Sequence, residues 1–168
     1  MKRTITVVAT AAILLGGCAS KGPSGLPTGE LFRSLEDSRM KITYDPELHQ
    51  EFTVGLWVHA LPGAVLESVR LVHPSQGLIM LQPYAVYVSD KHAGIGLDKT
   101  YPPKPRPKLY PIAGFVMAQD SQILVGLRVD REGVYTAEAV TVRYTVGSKL
   151  FEAQYPMSIV VTGKGNVP

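Results

Sequence analysis

Residues 139–147 read AVTVRYTVG. Val140, Val142, Tyr144 and Val146 alternate with Thr141, Arg143 and Thr145. Successive side chains of a strand point to opposite faces, so this is a strand with one apolar and one polar face. Downstream, KLFEAQYPMSIVV (149–161) repeats the pattern, with Phe151, Ala153, Tyr155, Met157, Ile159 and Val161 on one side. Between the two, Gly147 and Ser148 form a hairpin signal, because glycine tolerates the positive φ of tight turns. Upstream, ILVGLRVD (123–130) sets Ile123, Val125, Leu127 and Val129 against Gly126, Arg128 and Asp130.

The N-terminal half is built the same way. KITYDP (41–46) and EFTVGLWVHA (51–60) read as strands, the second with Phe52, Val54, Leu56 and Val58 on one face. AVLESVRLVHP (64–74), LIMLQPYAVYVS (78–89) and YPIAGFVMA (110–118) follow. Pro83 interrupts the second of these, which favours an edge position or a bulge. Residues 30–42, ELFRSLEDSRMKI, place Leu31, Leu35 and Ile42 only loosely together and allow one short helical turn. After the N-terminal apolar run, no helical periodicity exceeds ten residues. The sequence therefore predicts an antiparallel β-sandwich of about seven to nine strands whose inner faces bury each other.

DREGVYTAEAVTVRY (130–144) places Gly133 in a turn and Tyr135 two residues later, before the alternating strand. This resembles the turn-then-tyrosine corner of immunoglobulin-like and fibronectin-like sandwiches. The resemblance implies that the tyrosine hydroxyl hydrogen-bonds back across the corner between two strands. The cysteine pair of antibody domains is absent, since Cys18 is the only cysteine.

That cysteine lies behind an apolar run. MKR supplies positive charge, and residues 4–15, TITVVATAAILL, are 12 uncharged, largely apolar positions. A helix of that length rises about 18 Å against a hydrocarbon core of about 30 Å, so it suits a cleaved secretory segment rather than a permanent span. LGGC (15–18) then places two small residues before the thiol. The stretch resembles the lipobox of bacterial lipoproteins. That resemblance implies cleavage between Gly17 and Cys18, and acylation of Cys18 on sulfur and then on its new amino group. Ala19 follows, where an aspartate would signal inner-membrane retention in many Gram-negative bacteria. The implied location is therefore the periplasmic side of an outer membrane, or the outer face of the cytoplasmic membrane where there is no outer membrane. The expected organisation is a signal peptide over 1–17, a lipidated cysteine and flexible Gly/Pro/Ser-rich tether over 18–30, and one domain over 31–168.

The formal net charge of +3 includes Lys2 and Arg3. Without residues 1–17, 15 basic residues face 14 acidic ones, so the mature chain is nearly neutral. Nucleic acid is not an expected partner. With 45% hydrophobic and 18% charged residues, the domain has the composition of a globular protein.

Catalytic and metal motifs are sparse. His49, His59, His73 and His92 lack zinc-site spacing, and there is no Gly-x-Ser-x-Gly elbow. Ser75 in HPSQG reads as a turn residue, and AGIGLDKT (93–100) as a loop. No enzyme and no cofactor are expected. A small-ligand or copper-type carrier is the alternative, with His59 and His73 converging on Met80, Met117 or Met157. The most distinctive mature segment is YPPKPRPKLYP (101–111), which holds five prolines, four of them interleaved with Lys104, Arg106 and Lys108 between Tyr101 and Tyr110. Proline at this density favours an extended polyproline II conformation. One reading is a stiff crossover between two sheets. The other is an exposed, pre-ordered basic rod that docks on an envelope protein or an acidic polymer, with these five residues in contact. The expected function is thus that of a membrane-anchored, non-enzymatic envelope lipoprotein whose sandwich serves protein interaction or assembly.

Overall fold

Ten strands form among the described residues: β1 (Met40–Tyr44), β2 (Phe52–Trp57), β3 (Val65–Val72), β4 (Leu78–Met80), β5 (Tyr84–Tyr87), β6 (Leu97–Asp98), β7 (Tyr110–Pro111), β8 (Ser121–Val129), β9 (Gly133–Val146) and β10 (Lys149–Gly163). The computed structural model describes residues 40–57, 63–88, 94–104, 106–118 and 121–163. Gly17, Cys18, the tether, the lead-in up to residue 39, His59 and His92 lie outside the described residues.

The strands form two sheets, ordered β1-β10-β9-β3 and β6-β2-β8-β5-β7, with β4 also paired to β8. All pairs are antiparallel except β1 with β10, which run parallel from Met40 opposite Met157 to Tyr44 opposite Val161. The tyrosine corner is present at the start of β9, where the Tyr135 hydroxyl donates to the Arg131 carbonyl at 3.0 Å.

The two inner faces bury each other as the alternation requires. Phe52, Val54 and Leu56 of β2 and Ile123, Val125, Leu127 and Val129 of β8 meet Val140, Val142 and Tyr144 of β9 in one core. β10 contributes Ala153, Tyr155, Ile159 and Val161. Its ladder with β9 slips by one residue between Pro156 and Ile159. Proline has no N–H to give the ladder, and a bulge accommodates that loss. The slip also reconciles β9 with its partner. The core residues of β9 are Tyr135 and Ala137 on one side of the slip and Val140, Val142 and Tyr144 on the other.

Three expectations are refined. The strand expected over 78–89 is two collinear pieces, β4 and β5, both paired to β8 and separated at 81–83 by Pro83. The strand expected over 110–118 shrinks to the two residues of β7 and one isolated bridge, Val116 to Val65. The loop expected over 93–100 contains β6, which adds to the edge of β2 at Thr53 and Val54.

Candidate functional site

The proline-rich segment does not connect the two sheets. β6 lies at one edge of the second sheet and β7 at the other. The chain between them therefore crosses the outer face of that sheet, over β2, β8 and β5. This explains why the outward positions of β2 and β8 are buried. Thr53, Gln122, Leu124 and Gly126 alternate with core residues, and alternation alone predicts them exposed.

The crossing is fastened along its length. The Gly55 N–H donates to the Gly96 carbonyl at 2.8 Å. The Gln122 amide holds the backbone of Ile95 at both groups, accepting from its N–H at 3.0 Å and donating to its carbonyl. The Gln50 amide donates to the Lys99 carbonyl at 2.8 Å, and the Thr53 hydroxyl to the Thr100 carbonyl. Thr100 donates its N–H and its hydroxyl to one Asp98 oxygen, each at 2.8 Å. The Tyr101 hydroxyl donates to the Gln82 carbonyl, which the break between β4 and β5 leaves outside the ladder.

Two glycines make the close approach possible. A Cβ on Gly126 would stand 2.6 Å from the Tyr101 ring, and one on Gly55 would stand 1.7 Å from the Ile95 carbonyl oxygen. Tyr101 thus lies flat against β8, with its ring centroid 6.1 Å from that of Tyr84. Burial pushes its phenol well above the usual tyrosine range, with Tyr84 and Glu51 adding to the effect. Pro103 beside it is buried.

The cations stand on this fastened base. Lys104, Arg106 and Lys108 are exposed, whereas Pro107 and Leu109 are partly buried. Lys104 and Arg106 line an open groove of about 480 Å³ together with Gln50, Glu51, Lys99, Thr100, Tyr101, Pro102 and Pro103. Glu51 lies 3.6 Å from Arg128, which also bonds Asp130 at 2.8 Å. The Arg128 and His49 bonds hold the Asp130 carboxyl below its ordinary range. Among the described residues, no acidic side chain forms an ion pair with Lys99, Lys104, Arg106 or Lys108.

Of the five residues expected to contact a partner, the structure groups Tyr101, Lys104 and Arg106 at the groove. Tyr110 and Lys108 lie at the far end, where the Lys108 ammonium is 5.0 Å from the centroid of the Tyr110 ring. Tyr110 packs with Tyr87 and Phe115 at centroid distances of 5.3 and 5.5 Å. Both tyrosines are half-buried supports for the segment. Lys99, Gln50 and Glu51 were not singled out by the sequence. The DKT run (98–100) immediately before Tyr101 was the available signal for Lys99. Gln50 and Glu51 join the groove only through the pairing of β2 with β6.

The expected carrier constellation turns on His59, which lies outside the described residues, as does the Met157 side chain. Met117 is buried in the core, Met80 packs against it, and the His73 Nδ1 is 2.9 Å from Glu138. No group of three or more His, Cys, Asp or Glu side chains is placed to hold a metal ion among the described residues. No helix among them is long and apolar enough to cross a membrane. In comparisons with known proteins, the chain matches no family model and none of the curated proteins.

Proposed function

We propose that the chain is an exported, lipid-anchored envelope protein, attached through Cys18, whose immunoglobulin-like sandwich is a non-enzymatic interaction module. The observation that carries the interaction reading is the basic crossing itself. Lys99, Lys104 and Arg106 surround an open groove whose wall is held to β2 and β8 by hydrogen bonds and by the Tyr101 ring. A contact surface fixed before binding loses little conformational freedom when it docks. The anchor reading is carried by the order of elements in residues 1–20, from basic start to apolar run to LGGC. Two or three acyl chains give stable attachment where one gives marginal binding.

Two measurements on the full chain test this reading. Mass spectrometry of the membrane fraction should find Cys18 at the mature N-terminus carrying acyl chains, and Cys18→Ser should leave an unprocessed precursor. An unmodified Cys18 in mature protein contradicts the anchor. Neutralising Lys104, Arg106 and Lys108 together to glutamine should abolish salt-sensitive co-isolation of an envelope protein and leave the melting temperature within a few degrees. Retained co-isolation contradicts the assignment of the contact surface.

A further inference from the structure

The groove beside the crossing selects for charge, because its neutral polar groups are already engaged. The Gln50 amide oxygen accepts from the Glu47 N–H at 3.0 Å, and the amide nitrogen donates to the Lys99 carbonyl at 2.8 Å. The Thr100 hydroxyl bonds Asp98 at 2.8 Å, and the Tyr101 hydroxyl donates to the Gln82 carbonyl. Asp98 also takes the Thr100 N–H, and Pro102 and Pro103 have no N–H to offer. A neutral ligand, which must exchange its bonds to water for bonds to such groups, gains little here.

The groups left over are cations. Lys99, Lys104 and Arg106 line the groove, and among the described residues no acidic side chain forms an ion pair with any of them. Among the described lining residues Glu51 is the one carboxylate, and Arg128 stands 3.6 Å from it. Three positive charges against one negative leave a surplus of two. A phosphate monoester carries close to two negative charges at neutral pH, on three terminal oxygens. Arginine meets such oxygens as a planar fork and lysine as a point charge. A lone carboxylate or a sulfate ester brings one charge and leaves half the surplus unmet. The rest of the wall, from Tyr101 to Pro103, is largely apolar and suits the organic body that carries the ester.

We infer that this groove is a binding site for an organic phosphate monoester. Lys99, Lys104 and Arg106 surround the phosphoryl oxygens, and the organic body lies against the two prolines. The site goes beyond the interaction-module reading, since it takes its ligand with or without a protein partner.

The test is calorimetric titration of the detergent-solubilised full chain at neutral pH with phenyl phosphate, phenyl sulfate and inorganic phosphate. Phenyl phosphate should bind roughly 3- to 10-fold tighter than phenyl sulfate, a margin set by one or two further exposed ion pairs. It should also bind tighter than inorganic phosphate, which lacks the organic body. Lys104→Gln should weaken phenyl phosphate binding by a similar factor. Lys149→Gln makes the same change in net charge at an exposed position that does not line the groove, and should leave binding unchanged. Both variants should keep the melting temperature within a few degrees. Failure of phenyl phosphate to bind overturns the inference, as does equal affinity for the sulfate ester or for inorganic phosphate. Equal losses in the two variants overturn it too, by showing a diffuse surface charge, and so does phthalate, a dicarboxylate, binding as tightly as phenyl phosphate. The module reading is read separately, by co-isolation of the envelope protein, and stands or falls on that result.

Discussion

At Gly126, a missing side chain is what lets the crossing lie on the sheet. The Tyr101 ring occupies the space a Cβ would need, and its hydroxyl reaches the Gln82 carbonyl beyond it. Gly126→Ala forces the ring outward or strains β8. It should cost about 1–3 kcal/mol, the usual penalty for overpacking, seen as a melting temperature several degrees lower. Combining it with Tyr101→Ala should cost less than the sum of the two, because the clash is gone. The same ring gives a pH signature. A phenol whose folded pKa is raised holds its proton in the folded state after the unfolded chain has lost it. Its contribution is complete below the ordinary tyrosine value of about 10 and declines as pH rises above it. Thermal melts from pH 9 to pH 11 should therefore fall more steeply for the wild type than for Tyr101→Phe. Parallel curves would show that the ring is not buried as described.

At the level of elements, the β9–β10 hairpin was legible because its outer face is polar. Arg143 and Glu152 are directly opposite on that face. Glu152 is only 3% exposed, and it accepts from Arg143 Nε at 2.8 Å and lies 3.5 Å from Arg70 of β3. Glu152→Gln removes the charge that holds both guanidinium groups. It should cost roughly 1.5–3 kcal/mol, the range for hydrogen bonds to charged groups, read as a lower urea midpoint with an unchanged slope. A loss below 0.5 kcal/mol would place the pair among ordinary surface bridges. β8 was only half legible. Its inner residues Ile123, Val125, Leu127 and Val129 follow the alternation, but its outward set is buried by a segment from another part of the chain. Alternation reports which face meets the opposite sheet and carries no information about what later crosses the other face. β6 escaped notice for a related reason. Two residues hold no periodicity, and Leu97 and Asp98 become a strand only because β2 offers them an edge.

For the molecule as a whole, the proline-rich segment was conspicuous in the sequence, but its path was not. Proline density predicts an extended, exposed chain, and the exposure of Lys104, Arg106 and Lys108 agrees with it. What the density cannot convey is the fastening by Gln50, Thr53, Gln122 and Gln82, which are scattered over 73 positions and meet only after both edges of the sheet are built. The groove depends on that meeting, which is why Tyr101, Lys104 and Arg106 were foreseeable and Gln50 and Glu51 were not. The central claim is that this fastened basic surface is where the domain meets its partner. Photo-crosslinking in intact cells tests it most directly, with a crosslinking residue at position 106 and, as control, at Val134, which is exposed on β9. A discrete adduct should form from position 106, fade when Lys104 and Lys108 are neutralised, and be missing from position 134. No adduct from 106, or the same adduct from both positions, would contradict the account.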